Sequence, residues 1–192
     1  MLRPKDQKLE TKRLVLRRPE QSDATSIQML IGNWDVVKML GRVPYPYPDN
    51  AASEWIEKMH RGMALGQQYA FGLTERSKPL EGVIGVVGLS RHDDGTWELG
   101  YWLGEPFWGM GYMSEAAPHV VRFAFEVLGL ERLDAGHFVG NPGSARVLLR
   151  CGFEYVGEER RWSEARGHDV DCLKMELTRA KWAAYNRPAA AE

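Results

Sequence analysis

The chain has little cysteine. Its 192 residues include two, Cys151 and Cys172, in no CxxC pair and with no histidine at metal-ligand spacing. That argues against a disulfide framework and a structural zinc, and no metal site is expected. It also lacks an excess of either charge. Twenty-five Lys and Arg against 26 Asp and Glu leave a formal net charge of −1. No chain-wide basic face is available to grip nucleic acid, so none is expected as a partner. Long apolar runs are missing too. The longest, Val83 to Leu89, is interrupted by Gly85 and Gly88 and falls far short of the ~20 residues that span a bilayer. The opening MLRPKDQKLETKR is polar and has no signal-peptide core. A cytoplasmic location without a membrane partner is the expectation. No repeat, low-complexity block or Gly/Ser/Pro-rich linker divides the chain, so one domain is expected over residues 9–179, with loose ends at 1–8 and 187–192.

What is present has ordinary globular proportions, 44% hydrophobic and 27% charged. Residues 13–18 read as a first strand. Ser22 or Asp23 can cap a helix to about Leu30, and Trp34–Leu40 reads as a short helix. Three prolines keep Gly41–Pro48 irregular. Asp49 or Asn50 then caps a helix to about Ala64, with Ala52, Trp55, Ile56 and Met59 at core spacing. Strands follow at Gln68–Glu75, Gly82–Ser90 and Thr96–Leu103, turned at Ser77-Lys78-Pro79 and Asp93-Asp94-Gly95. A helix fills Ser114–Leu128 and stops at Gly129; Arg132–Val139 is a strand; Pro142–Cys151 is a helix ended by Gly152. Glu154–Trp162 and Asp169–Thr178 form a last antiparallel pair around Ser163–His168. The order, in brief, is β-α-α-β-β-β-α-β-α-β-β. The helix joining Thr96–Leu103 to Arg132–Val139 is a crossover, so those two strands are parallel within a mostly antiparallel sheet. The fold class is α/β, a mixed central sheet flanked by helices.

The segment GYWLGEPFWGMGYMSEAA, residues 100–117, carries the most chemistry. A strand ends, a short loop holds two glycines, and a helix begins. Glycines let main-chain N–H groups close on an anion. The helix N-terminus adds free donors and partial positive charge, which suits a phosphate or pyrophosphate. Ser114 can cap this helix, with Glu115 in its first turn. Pro118 fits a helix starting near Ser114 or one missing a hydrogen bond. A plain strand–helix turn is the bland alternative. A dinucleotide fingerprint is the other competitor, but its third glycine position holds Ser114 and the preceding strands are joined by hairpins.

Residues 98–117 resemble the acetyl-CoA-binding segment of the GNAT acyltransferase superfamily, and most closely its RimJ/RimL-type N-acetyltransferase branch. TKRLVLRRPEQSDA (11–24) resembles that branch's opening, ELGYWL (98–103) its central strand, Asn141-Pro-Gly-Ser144 its Asn-x-x-Ser helix start, and LRCGFE (149–154) its Gly-Phe segment. The likeness covers roughly residues 9–179. It implies that Tyr101, Trp102 and Leu103 offer main-chain groups to a pantetheine arm. It implies that the loop Trp108, Gly109, Met110, Gly111, Tyr112 and Met113, with Ser114, holds the pyrophosphate. Trp108 stands where the branch carries Gln or Arg, and Met113 where it carries a small residue; main-chain binding survives both changes. Asn141 would hydrogen-bond the pantetheine where the parallel strands separate, and Ser144 would lie near the sulfur. Acetyl-CoA as cosubstrate, an amine acceptor such as a protein N-terminus or small amine, and a homodimer are further implications.

The chemistry asks for an oriented amine and thioester, a proton acceptor for the amine and a proton donor for the thiolate. An α-amino group, with a pKa of about 7.7–8.0, is partly neutral at pH 7, whereas a lysine at about 10.4 needs more help. Glu98 is the candidate base, directly or through water, against an exposed strand charge. Ser144 is the candidate donor, against a helix cap. Cys151 reads as a small buried filler rather than an acyl nucleophile, with no adjacent histidine. His92, His119 and His137 share no spacing and read as structural or surface residues. Trp34, Tyr45, Tyr47 and Ser163–His168 are candidates for an acceptor pocket, against anchoring of an irregular segment. Besides the direct-transfer N-acetyltransferase, a non-catalytic acyl-CoA-binding module and a nucleotide-dependent oxidoreductase remain open.

Overall fold

A computed structural model describes residues 8–78 and 81–186. The expected loose ends lie outside these residues, apart from Lys8, which pairs with Glu10 at 3.0 Å. Pro79, expected in a turn, also lies outside them.

The elements are β1 (Leu9–Glu10), β2 (Leu14–Arg17), α1 (Ala24–Ile31), α2 (Trp34–Val37), α3 (Ala51–Ala64), β3 (Gln68–Glu75), β4 (Gly85–Arg91) and β5 (Trp97–Leu103). They continue with α4 (Tyr112–Arg122), β6 (Arg132–Phe138), α5 (Pro142–Arg150), β7 (Glu154–Ser163), β8 (His168–Thr178) and α6 (Arg179–Tyr185). Among the described residues the strands form one eight-stranded sheet in the order β1-β2-β3-β4-β5-β6-β8-β7. Every pairing is antiparallel except β5 with β6, as the crossover requires. The summary order omits three things. Between β2 and β3 there are three helices rather than two. β1 is two residues long and too short to show alternation. α6 is a seven-residue helix with no buried residue, set by Thr178, whose hydroxyl accepts from the Lys181 N–H.

Alternation sorts the side chains into two layers. Tyr69 and Phe71 of β3 set their rings edge-on against Phe123, at 5.4 and 5.3 Å. That face, with Val87 and Tyr101 in register, carries α4 and α5. The opposite face carries α1 and α3: a methyl added at Gly104 would strike Leu30 of α1 at 2.8 Å. Both layers close one apolar core containing Leu14, Leu16, Ile56, Leu73, Val120 and Leu148.

Two helix starts differ from the expected caps. Asn50 precedes α3 but makes no side-chain cap bond. Instead the Ala52 N–H donates to Gln28 of α1, at 3.3 Å. Asp23 precedes α1 without capping it, because its carboxylate accepts from Arg17 at 2.7 and 2.8 Å and from the Glu20 N–H at 2.8 Å. α4 begins at Tyr112, two residues before Ser114, because Gly111 takes a left-handed φ of 77° and turns the chain into the helix there. Ser114 is therefore a helical residue rather than the cap. Pro118 then lies inside α4 and cannot donate to the Ser114 carbonyl. The helix runs on from Arg122 into a widened π-type turn, Phe123–Val127.

Candidate active site

β5 and β6 pair in register at a single position, Glu98 with Asp134. Beyond it the strands separate, and the gap opens into a cleft of about 1160 Å³ that reaches both layers. The β6-facing edge of β5 at Tyr101 and Leu103 thus carries main-chain groups without a strand partner, while Trp102 between them turns its main chain to β4.

On the α4–α5 side, β5 leads into the glycine loop. The Trp108 indole folds back and donates to the Leu103 carbonyl at 2.7 Å. Gly109 and Gly111 both adopt left-handed φ, 76° and 77°, which other residues resist. A methyl at Gly109 would meet nothing within 4 Å, so the backbone there borders open space. The N–H groups of Tyr112, Met113 and Ser114 fall in the first turn of α4, where no helical acceptor exists. The Tyr112 and Met113 side chains are buried, which leaves the main chain as the surface facing the cleft. Bare amides on a helix N-terminus beside a Cβ-free hollow suit a diphosphate, and the unpaired β5 edge suits the amides of a pantetheine arm. The residues present therefore fit acetyl-CoA.

α5 opens on Asn141, whose side chain accepts from the Ser144 N–H at 3.0 Å. The cap weighed for Ser144 is thus supplied by Asn141. The Ser144 hydroxyl instead hydrogen-bonds the Tyr101 hydroxyl at 2.8 Å, and Tyr101 also reaches the Ser144 carbonyl at 3.0 Å. Burial pushes the Tyr101 phenol well above its ordinary value, against the hydrogen bond to Ser144. Cys151 lies buried at the end of α5, and burial pushes its thiol up to about 12. Tyr155 is half-exposed and bonds His137 Nε2 at 3.2 Å.

On the opposite face, Glu98 faces three cationic or ring donors. Its Oε1 accepts from Arg161 at 2.6 Å; its Oε2 meets His92 at 3.1 Å and Arg42 at 3.5 Å. Arg161 also donates to Glu159 at 2.6 and 2.9 Å. Next to Glu98 on the same face, a methyl at Gly100 would meet nothing within 4 Å, so the floor of the cleft is open there. Ala70 and Gly88 continue that small-residue row across the paired strands. Tyr47, Trp55 and Met59 border the cleft. Trp34 and Tyr45 do not; their rings pair with each other at 5.0 Å. The loop after β7 is also not part of the lining. It fastens the bordering segment instead, through Arg166 Nε to the Lys38 carbonyl (2.8 Å) and the Glu164 N–H to the Gly41 carbonyl (2.9 Å). Sequence reasoning missed Arg161, Arg42 and His92 around Glu98. His92 has a local signal, six residues away across a hairpin, whereas Arg161 lies 63 residues off and has none. Among the described residues no group of three or more His, Cys, Asp or Glu is placed to hold a metal ion. No helix among them is long and apolar enough to cross a membrane.

A splayed parallel strand pair, an amide-rich loop and a helix crossover define an acyl-CoA-dependent transferase fold. The model of the acetyltransferase (GNAT) domain matches residues 13–154, and the chain belongs to that family. It is an acetyl-CoA-dependent N-acetyltransferase. Among its relatives, the uncharacterized N-acetyltransferase YoaA of Bacillus subtilis is 30% identical over 174 residues, 85% of this chain and 92% of that protein. The ribosomal protein uS5-alanine N-acetyltransferase of Escherichia coli is 26% identical over 185 residues, 91% and 92% of the two chains. The solved ribosomal-protein-S5-alanine acetyltransferase of Vibrio fischeri superimposes with a TM-score of 0.77 at 20% identity, covering 95% of this chain and all of that one.

Proposed function

We propose that residues 9–179 form one domain that acetylates a primary amine, a protein N-terminus or a small-molecule amine, by direct attack on acetyl-CoA in a ternary complex. The carrying observation is the single cleft with an amide-lined donor side and Glu98 on its opposite face. When bound, acetyl-CoA supplies the electrophilic thioester carbonyl. The main chain of Tyr101–Leu103 aligns the pantetheine, with Asn141 Nδ2 left to donate because only its oxygen is used in the cap. The amides from Trp108 to Ser114 hold the diphosphate. Placing amine and thioester together is worth up to about 7–11 kcal/mol in ideal cases. Glu98 takes the amine's proton, through a water, since Arg161, His92 and Arg42 already engage its two oxygens. Ser144 gives a proton to the leaving thiolate and regains one from water, while the Tyr101 phenol, kept protonated by burial, holds the Ser144 side chain through their hydrogen bond.

The engagement of both Glu98 oxygens also favours a second reading, a non-catalytic acyl-CoA-binding module. A panel of N-terminal peptides, polyamines and aminoglycosides, read by free-thiol release, separates the two. Thiol release with at least one amine, lowered about 10²–10⁴-fold in Glu98→Ala and also lowered in Ser144→Ala, supports transfer. Tight CoA binding with acetyl-CoA left intact by every amine supports the module. The proposal includes a cytoplasmic site of action and a homodimer, the latter tested by light scattering.

A further inference from the structure

We propose that Arg13 is a positioning residue that sets the diphosphate-binding loop from the far side, through Glu115 and the Met110 carbonyl. Arg13 is held at the mouth of β2. Its carbonyl accepts from the Arg76 N–H at 2.9 Å, and its own N–H donates to Glu115 at 2.7 Å. From this anchor the guanidinium reaches three parts of the α4 start. Nε donates to Glu115 Oε2 at 2.6 Å; Nη1 donates to the Met110 carbonyl at 2.9 Å; the carbon centre sits 4.5 Å over the Tyr112 ring. Thr11 completes the clamp by donating to Glu115 at 2.5 Å. Burial works to raise the Glu115 carboxyl, but the bonds from Thr11 and Arg13 and the guanidinium charge outweigh it and hold it below the usual carboxylate range.

The consequence follows from peptide geometry. In a trans peptide the C=O and N–H point in opposite directions. Fixing the Met110 carbonyl on Arg13 therefore aims the Gly111 N–H away from Arg13. Gly111 borders the cleft and Arg13 does not. On its Gly111 side this peptide is flanked by a left-handed glycine, which lets it turn more easily unless something holds it. Arg13 thus acts by orienting amides, and its charge is spent on Glu115. It touches neither reacting atom.

This inference rests on the proposed reading of the donor side, and its test separates the two. CoA affinity is measured by calorimetry for wild type, Arg13→Ala and Arg13→Lys. Turnover is measured with acetyl-CoA and with S-acetylpantetheine, which has the thioester but no diphosphate. The expected result for Arg13→Ala is a CoA Kd raised about tenfold, with kcat at saturating acetyl-CoA and kcat/KM for S-acetylpantetheine within about twofold of wild type. Arg13→Lys keeps the charge but cannot reach both partners, so its Kd lies between, and it decides the matter if Arg13→Ala does not fold. An unchanged CoA Kd, or equal losses with both donors, would overturn the inference. A wild type that binds S-acetylpantetheine and not CoA would overturn the reading of the loop, and this inference with it.

Discussion

At the residue scale, the same side-chain chemistry can be catalytic or inert according to what surrounds it. Cys151 sits within reach of a thioester site in sequence, yet its thiol is buried and pushed up to about 12. At pH 8 almost none of it is thiolate, and the thiolate is the reactive form. Cys151→Ala should therefore keep kcat within about twofold, and iodoacetamide at pH 8 should not inactivate the wild type through this residue. A labelled Cys151 tracking loss of activity, read by mass spectrometry, would contradict that. Glu98 and Ser144 were legible as residue types, because a carboxylate on a strand face and a hydroxyl at a helix start are short-range patterns. Their partners were not. Tyr101 was assigned a main-chain role, and its hydroxyl bond to Ser144 joins residues 43 apart. Arg161 meets Glu98 only because β7 and β8 fold back across β6.

Elements were easier to read than residues. The strands from β3 to β8 fall within a few residues of their expected bounds, since each is a period-2 or continuous apolar run closed by glycine, proline or aspartate. Caps were the weak point. Gln28 serves α3 from another helix, and Asp23 is drawn to Arg17, which no local rule anticipates. The start of α4 turned on Gly111 rather than Ser114, which moves the helix's free amides three residues nearer the glycine loop. On the other face, the row Ala70, Gly88 and Gly100 makes a property of three strands together: a shallow floor that leaves space above β5. Gly100→Val fills that space with a side chain that strands tolerate. The account expects the acceptor KM to rise about tenfold or more while the Kd for CoA stays within about twofold. Loss of CoA binding with an unchanged acceptor KM would place the two ligands on the wrong faces.

For the whole molecule, the proposed function has one sheet serve two ligands because β5 and β6, the parallel pair among the described residues, come apart. β5 and β6 meet at Glu98 and Asp134 and separate beyond. The gap brings the α4 start, the α5 start and the Glu98 face to one cleft. The crossover connection was readable in the sequence, because a helix between two strands implies it. The extent of the gap was not, since it depends on the packing of α4 and α5. The most direct test is a crystal structure of the protein with CoA. The account predicts diphosphate oxygens within hydrogen-bond distance of main-chain amides between Gly109 and Ser114, and pantetheine along the Tyr101–Leu103 edge. Diphosphate density anywhere else would contradict it.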